Sequence, residues 1–178
     1  LDLLAPSRYC PSDTFTQFAF DQFGHLPTGH SRITAVCDWI YANMHYEHGT
    51  SGPFTDAGQA FQARKGVCRD FAHLGISITR ALGVPARYAS VYADRLMPQD
   101  FHAVFEAYLL GPNGGRWFAF DPTQMSSRDA IVRIAAGRDA ADVAFAWPQG
   151  EMDSAPPEVW VNARGRSDSI ITSRAITN

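Results

Sequence analysis

Gly66-Val67-Cys68-Arg69-Asp70-Phe71-Ala72-His73-Leu74 opens the stretch whose reading decides the fold. Phe71, Leu74, Ile78 and Leu82 recur at helical spacing and mark one apolar face of a helix expected from about Cys68 to Leu82. Gly83 supplies the left-handed position after the helix, and Pro85 stops it. Gly75 within such a helix costs about 1 kcal/mol against Ala where the site is exposed. A neighbouring element packed close to it would explain its presence, so this helix reads as buried and central.

Beyond the helix the period changes from helix to strand. Arg87 to Tyr92 alternates as a strand, and His102 to Leu109 is a second, with Ala103, Phe105, Ala107 and Leu109 on one face. Gly111-Pro112-Asn113-Gly114-Gly115 is a strong turn signal, and Arg116 to Phe120 is the third strand. Ile131 to Ile134 and Val159 to Val161 are further candidate strands, residues 137–158 are mixed, and the chain from Arg164 reads as a mobile tail. Upstream, Ser12 can cap a short helix carrying Phe15, Phe18 and Phe23. Ser31 can cap a second, with Ile33, Val36, Cys37, Ile40 and Met44 as its buried stripe. Residues 48–53 form a loop. Thr55 can cap a third helix through about Arg64, ended by Gly66. Helices followed by hairpin-linked strands give an α+β domain with an antiparallel sheet. The expected organisation is a linker over residues 1–11, a catalytic domain over 12–163 and a tail over 164–178.

The 178 residues fit one domain able to bury a sizeable core. With 46% hydrophobic and 19% charged residues, the composition is that of a soluble globular domain. The net charge of −3 and the lack of a Lys/Arg run argue against a nucleic-acid partner. No apolar stretch approaches the roughly 20 residues of a membrane span. The N-terminus has no basic segment before its apolar residues and so is not a signal peptide. Its abrupt start at Leu1, without Met, suggests a cut inside a longer chain. Cys10, Cys37 and Cys68 are odd in number and widely spaced, which points away from a disulfide framework or a zinc site and towards a reducing, cytoplasmic setting. Cys37 lies on an apolar stripe and reads as a small buried hydrophobe.

Cys68 is different, because it opens its helix. The positive end of the helix dipole and the free N–H groups there favour thiolate, and the same N–H groups can stabilise an oxyanion. A thiol nucleophile also needs a base, and the base an orienter. Strands folding about Pro112 pair positions that sum to about 223–225, which places His102 opposite Asp121 to Thr123. A carboxylate at Asp121 is then a direct or diagonal neighbour of the His102 imidazole. Trp117-Phe118-Ala119-Phe120 just before it can exclude water. His73, one and a half turns from Cys68, is too far round the helix to be its base and reads as a core histidine. Asp70 reads as a first-turn helix residue and Arg69 as a structural charge. His25, His30, His45 and His48 show no ligand spacing. Tyr46 and Gln59 are candidate oxyanion donors with little support from the sequence.

Four blocks in order carry a family resemblance: Gly66-Val67-Cys68-Arg69-Asp70-Phe71-Ala72-His73, Leu82-Gly83-Val84-Pro85-Ala86-Arg87-Tyr88, Asp100-Phe101-His102-Ala103 and Phe120-Asp121-Pro122-Thr123. They resemble the transglutaminase-like superfamily, in particular its bacterial cysteine proteins, over residues of about 31–124. The resemblance implies a papain-like fold and a Cys-His-Asp triad, which by position is Cys68, His102 and Asp121. It also implies a β-rich domain upstream in many bacterial members. Val104 stands where relatives commonly carry Trp, which would widen or reshape the acyl pocket.

The expected chemistry is acyl transfer on a carboxamide or peptide carbonyl of a protein or peptide substrate, through a thioester on Cys68. His102 takes and returns the proton, and Asp121 orients the imidazole. No cofactor is called for, and no acidic loop suggests calcium. Hydrolysis and cross-linking share every step up to the second nucleophile and remain open. The rival from another class is a binding module that keeps the fold without catalysis; an intact set of three residue types argues against it.

Overall fold

The computed structural model describes residues 1–94, 96–111, 114–126, 131–143, 158–161 and 174–175. A 3-10 turn over Ser12–Phe15 leads into α1 (Thr16–Phe23), followed by α2 (His30–Asn43), β1 (His45–Tyr46), α3 (Ala57–Ala63), β2 (Lys65–Gly66) and α4 (Cys68–Ala81). The sheet strands are β3 (Ala86–Ala93), β4 (Phe101–Gly111), β5 (Gly114–Phe120), β6 (Ile131–Gly137) and the two-residue β7 (Arg174–Ala175). They form one antiparallel sheet in the order β6-β3-β4-β5-β7. The expected α+β class with an antiparallel sheet is what is found.

Helix α4 is buried continuously from Asp70 to Arg80 because it carries two apolar stripes. Phe71, Leu74, Ile78 and Leu82 face the helical layer, packing with Phe15, Phe23, Val36 and Ile40. Ala72 and Ile76 face the sheet, packing with Tyr88, Ala103, Phe105 and Ala107. Apolar burial on both sides, worth about 25 cal/mol per Å², makes this helix the centre of the domain. Its glycine is explained by the sheet: a Cβ on Gly75 would lie 2.5 Å from a ring carbon of Phe105 on β4. Gly83 has φ +77, the left-handed conformation expected after the helix.

Helix starts differ from expectation wherever a better cap competes. Gly29, not Ser31, is the N-cap of α2, in an extended positive-φ conformation (φ 103°) that suits glycine. Asp56, not Thr55, caps α3. Its Oδ1 accepts the Gln59 N–H at 2.8 Å, while Gln59 Oε1 accepts the Asp56 N–H at 3.0 Å. This is a reciprocal pair that a Thr at 55 does not match; Thr55 Oγ1 instead accepts the Gly52 N–H at 2.9 Å. Arg64, in a left-handed conformation, ends α3, and Gly66 lies in β2, paired in parallel with β1.

The strands are longer than expected by one or more residues at their ends. Within the β4–β5 hairpin, Phe105 pairs with Phe120 and Tyr108 with Trp117, so paired positions sum to 225, the upper end of the expected range. Ile131 to Ile134 falls within β6. Residues 158–161 are not a strand; Gln99 holds Val161 by two side-chain bonds, of 2.8 and 3.0 Å. Most of the mixed stretch, residues 144–157, lies outside the described residues. Part of the expected tail is ordered, since Arg174–Ala175 pairs with β5. Residues 1–11 are irregular yet packed on the body: Cys10 is fully buried, and Leu3 accepts the Ala86 N–H at 3.0 Å. Among the described residues no helix is long and apolar enough to cross a membrane.

Candidate active site

Cys68 is the first residue of α4 and stays partly exposed in the floor of a cleft of about 480 Å³. The turn before it is fixed by Asp70, a fully buried carboxylate. Its Oδ2 accepts the Val67 N–H and its Oδ1 the Ser51 hydroxyl, both at 2.8 Å. This satisfies one of the free donors at the helix start. A Cβ on Gly66 would meet the Asp70 side chain at 2.7 Å, so the Gly66-Val67-Cys68 turn closes only with glycine. Arg69 donates to the Ser51 hydroxyl at 2.7 Å and to the Gly52 carbonyl. The helix-residue and structural-charge readings of Asp70 and Arg69 agree with these contacts.

His102, at the start of β4, and Asp121, just past β5, come together where the hairpin strands end. His102 Nε2 lies 2.9 Å from Asp121 Oδ2, with both side chains buried. Asp121 is saturated: Oδ1 accepts the Thr123 N–H at 3.0 Å and the Thr123 hydroxyl at 2.6 Å, and Oδ2 accepts the Ser126 N–H at 2.9 Å and the Ser126 hydroxyl at 2.6 Å. Burial pushes the Asp121 carboxyl up. The bonds from His102, Ser126 and Thr123 outweigh it and hold the group below the usual carboxylate range. Burial likewise pushes His102 down, but hydrogen bonds to Asp121 and Cys68 raise it to about 10. With Nε2 turned to Asp121, Nδ1 is the nitrogen left for Cys68. The structure thus brings Cys68, His102 and Asp121 together.

Tyr46 also meets Cys68. Both line the cleft, and burial and then the Cys68 charge push the Tyr46 ionisation up, so its hydroxyl stays a neutral donor. The β1–β2 pair sets this contact by holding Tyr46 opposite Gly66, two residues before the thiol. Gln59 is exposed and spent on the α3 cap. Thr123 and Ser126 went unread in the sequence. The Asp121-Pro122-Thr123 run carried a signal for the first, since an Asp often accepts the N–H two residues on. Val104 does not line the cleft. It is buried against Ala89 and Val91 on the sheet face away from Phe105, so the absence of a Trp there does not reshape the cleft wall.

The remaining candidates lie elsewhere. His73 is fully buried, stacked on Tyr9 at 5.2 Å, and its Nε2 accepts the Ala140 N–H at 3.1 Å while its Nδ1 finds no partner. Cys10 and Cys37 are fully buried. Burial pushes the Cys10 thiol up to about 12 and the Cys37 thiol well above its ordinary value. Of the other histidines, His48 borders the cleft while His25, His30 and His45 do not. Among the described residues no group of three or more His, Cys, Asp or Glu side chains could hold a metal ion.

Residues 16–122 match the model of the transglutaminase-like superfamily. That is more than half of the 178 residues, and the chain belongs to this superfamily. A candidate cysteine protease from Cytophaga hutchinsonii is 42% identical in crystal structure, with a TM-score of 0.79 over 90% of this chain and 58% of that one. The periplasmic domain of TgpA from Pseudomonas aeruginosa shares the fold, at 23% identity and a TM-score of 0.53 over 70% of this chain and 46% of that one. An uncharacterised protein of Mycobacterium leprae is 28% identical over 148 residues, 80% of this chain and 53% of the relative. The chain spans about half the length of the relatives it matches.

Proposed function

We propose that this domain catalyses acyl transfer through a Cys68 thioester. The observation that carries the reading is the buried His102–Asp121 hydrogen bond at 2.9 Å, with His102 opening on the cleft that Cys68 also lines. Cys68 Sγ attacks a carboxamide or peptide carbonyl carbon. The His102 proton passes to the departing nitrogen, and the C–N bond breaks to leave the thioester. Water or an amine then attacks the thioester carbon, His102 takes its proton, and Cys68 leaves. Asp121 keeps the imidazole aimed and stabilises its charge.

Tyr46 completes the electrostatics. In the free state its neutral hydroxyl and the start of α4 at Cys68 line the same cleft. A substrate carbonyl oxygen entering between them accepts from both as it gains charge, the arrangement that stabilises a tetrahedral intermediate. Free, unpaired thiols in all three cysteines support a reducing compartment. The test is incubation with glutaminyl peptides, with and without a primary amine, following ammonia release, peptide scission and the mass of the protein. A thioester adduct at Cys68 and turnover are expected; an inert protein with a freely alkylated Cys68 points to a binding module instead.

A further inference from the structure

The wall of the cleft has an unusual charge pattern. Leu96, Met97, Pro98, Phe101 and Met125 supply its apolar surface, Met97 being 91% exposed. Among the described residues neither Lys nor Arg lines it, and Asp100 is its one carboxylate. Asp100 is exposed but held: its Oδ1 accepts the N–H of Phe101 at 2.7 Å, which fixes the carboxylate at the entry to β4, two residues before His102. Phe101 in turn stacks on Tyr92 at 5.6 Å, so the apolar shelf beside Asp100 is braced by the sheet. The Asp100 charge also reaches the Tyr46 hydroxyl, which places it in the field of the reacting centre.

We propose that the cleft selects a peptide that sets apolar side chains on the Leu96–Phe101 shelf and a Lys or Arg, within about two positions of the reacting carbonyl, against Asp100. An acidic residue there meets a fixed like charge. A basic one gains a rim ion pair, and the apolar flank removes exposed Met97 and its neighbours from water. This selectivity rests on the thioester reading above.

The test follows consumption of glutaminyl peptides by mass spectrometry, which registers deamidation, amine incorporation and scission alike. One scaffold carries Lys, Ser or Glu beside the glutamine, and Leu or Ser at the flanks. Expected values of kcat/KM fall from Lys to Ser to Glu by about two- to fivefold per step, the range of an exposed ion pair. The spread narrows as salt rises from about 50 to about 500 mM. Exchanging the Leu flank for Ser lowers kcat/KM about tenfold. Asp100→Asn brings the Lys-, Ser- and Glu-peptide values together, whatever its effect on their common level. Equal rates for the three peptides, or a preference that survives Asp100→Asn, overturn the inference and leave the thioester reading standing. No consumption of any peptide, by protein whose Cys68 still alkylates, overturns that reading and the inference with it.

Discussion

His102 and Asp121 are hydrogen-bonded at 2.9 Å although they are not directly opposed in the sheet. The paired register ends at Phe105 against Phe120; extended by one position it would set Val104 against Asp121, which makes His102 a diagonal neighbour of Asp121. A diagonal leaves room for a full imidazole between backbone and carboxylate, which a directly opposed pair does not. Thr123 and Ser126 also donate to the carboxylate and hold it in place.

From this geometry the activity losses should rank Cys68→Ala, then His102→Ala, then Asp121→Asn. Cys68→Ala removes the thioester altogether. His102→Ala strands both proton transfers. Asp121→Asn keeps a polar group in place but can hold the wrong tautomer; the equivalent change reaches about 10⁴ in serine enzymes, and less is expected where the nucleophile is a thiol. Effects in double variants should fall far short of additive. Rates of acyl-enzyme formation by mass check the order, and a Cys68→Ala protein with wild-type turnover contradicts it.

The two other thiols should be silent. Cys10 and Cys37 are fully buried and pushed away from thiolate, while Cys68 is partly exposed. Iodoacetamide at pH 6.5 should carboxamidomethylate one residue in the folded protein and three after denaturation. Peptide mapping that finds Cys10 or Cys37 modified first removes Cys68 from its assigned role.

Gly75→Ala should destabilise the domain even though it improves helix propensity. Propensity favours Ala by about 1 kcal/mol. The new methyl would lie 2.5 Å from the Phe105 ring, and Phe105 is fully buried and stacked on Phe120 at 5.5 Å, so it has nowhere to go. Overpacking of this kind costs about 1–3 kcal/mol. Urea midpoints should show Gly75→Ala below wild type. Phe105→Leu should absorb part of the loss, so that the double variant is more stable than the sum of the two single effects.

The central helix, the β4–β5 hairpin and the pairing of His102 with Asp121 were legible because each rests on a local rule: a 3.6 period, a Gly-Pro-Asn-Gly turn, and register arithmetic from that turn. Helix starts were misjudged where a glycine conformation at Gly29 or a reciprocal Asp56–Gln59 pair outcompeted a nearby Ser or Thr. The outer parts of the site were hidden for another reason. Tyr46 reaches Cys68 only through the two-residue parallel pairing of β1 with β2, and Ser126 reaches Asp121 through a turn; neither leaves a periodic trace. Val104 shares a face of β4 with His102 by alternation and lies off the cleft because it sits two residues further along the strand.

His73 should make the fold acid-sensitive. Burial pushes its imidazolium down to about 3, against an ordinary value near 6.5. The folded state therefore binds fewer protons than the unfolded chain between these values. The contribution is fully present above about pH 6.5 and is lost as pH falls towards 3, by up to about 5 kcal/mol. His73→Gln keeps an acceptor for the Ala140 N–H and removes the titration. Its urea midpoint should change less between pH 7 and pH 4 than that of wild type; parallel declines assign the acid sensitivity elsewhere.

Tyr46→Phe separates the oxyanion role from a merely structural one. The ring contacts with His48 and Phe71 survive the change, so the cleft should keep its shape. Only the hydroxyl is lost, and with it a neutral donor at the cleft wall. If the hydroxyl stabilises the developing oxyanion, kcat should fall while KM changes little, since the interaction strengthens only in the transition state. Loss of one oxyanion donor costs about 10²–10³ in related acyl transfers, and here the Cys68 N–H remains, so the lower end is expected. Iodoacetamide alkylation forms no oxyanion, and its rate should not share that fall. A variant that alkylates and turns over at wild-type rates places the hydroxyl outside the chemistry. One that turns over faster than wild type makes Tyr46 a plug on the Cys68 N–H that substrate must displace.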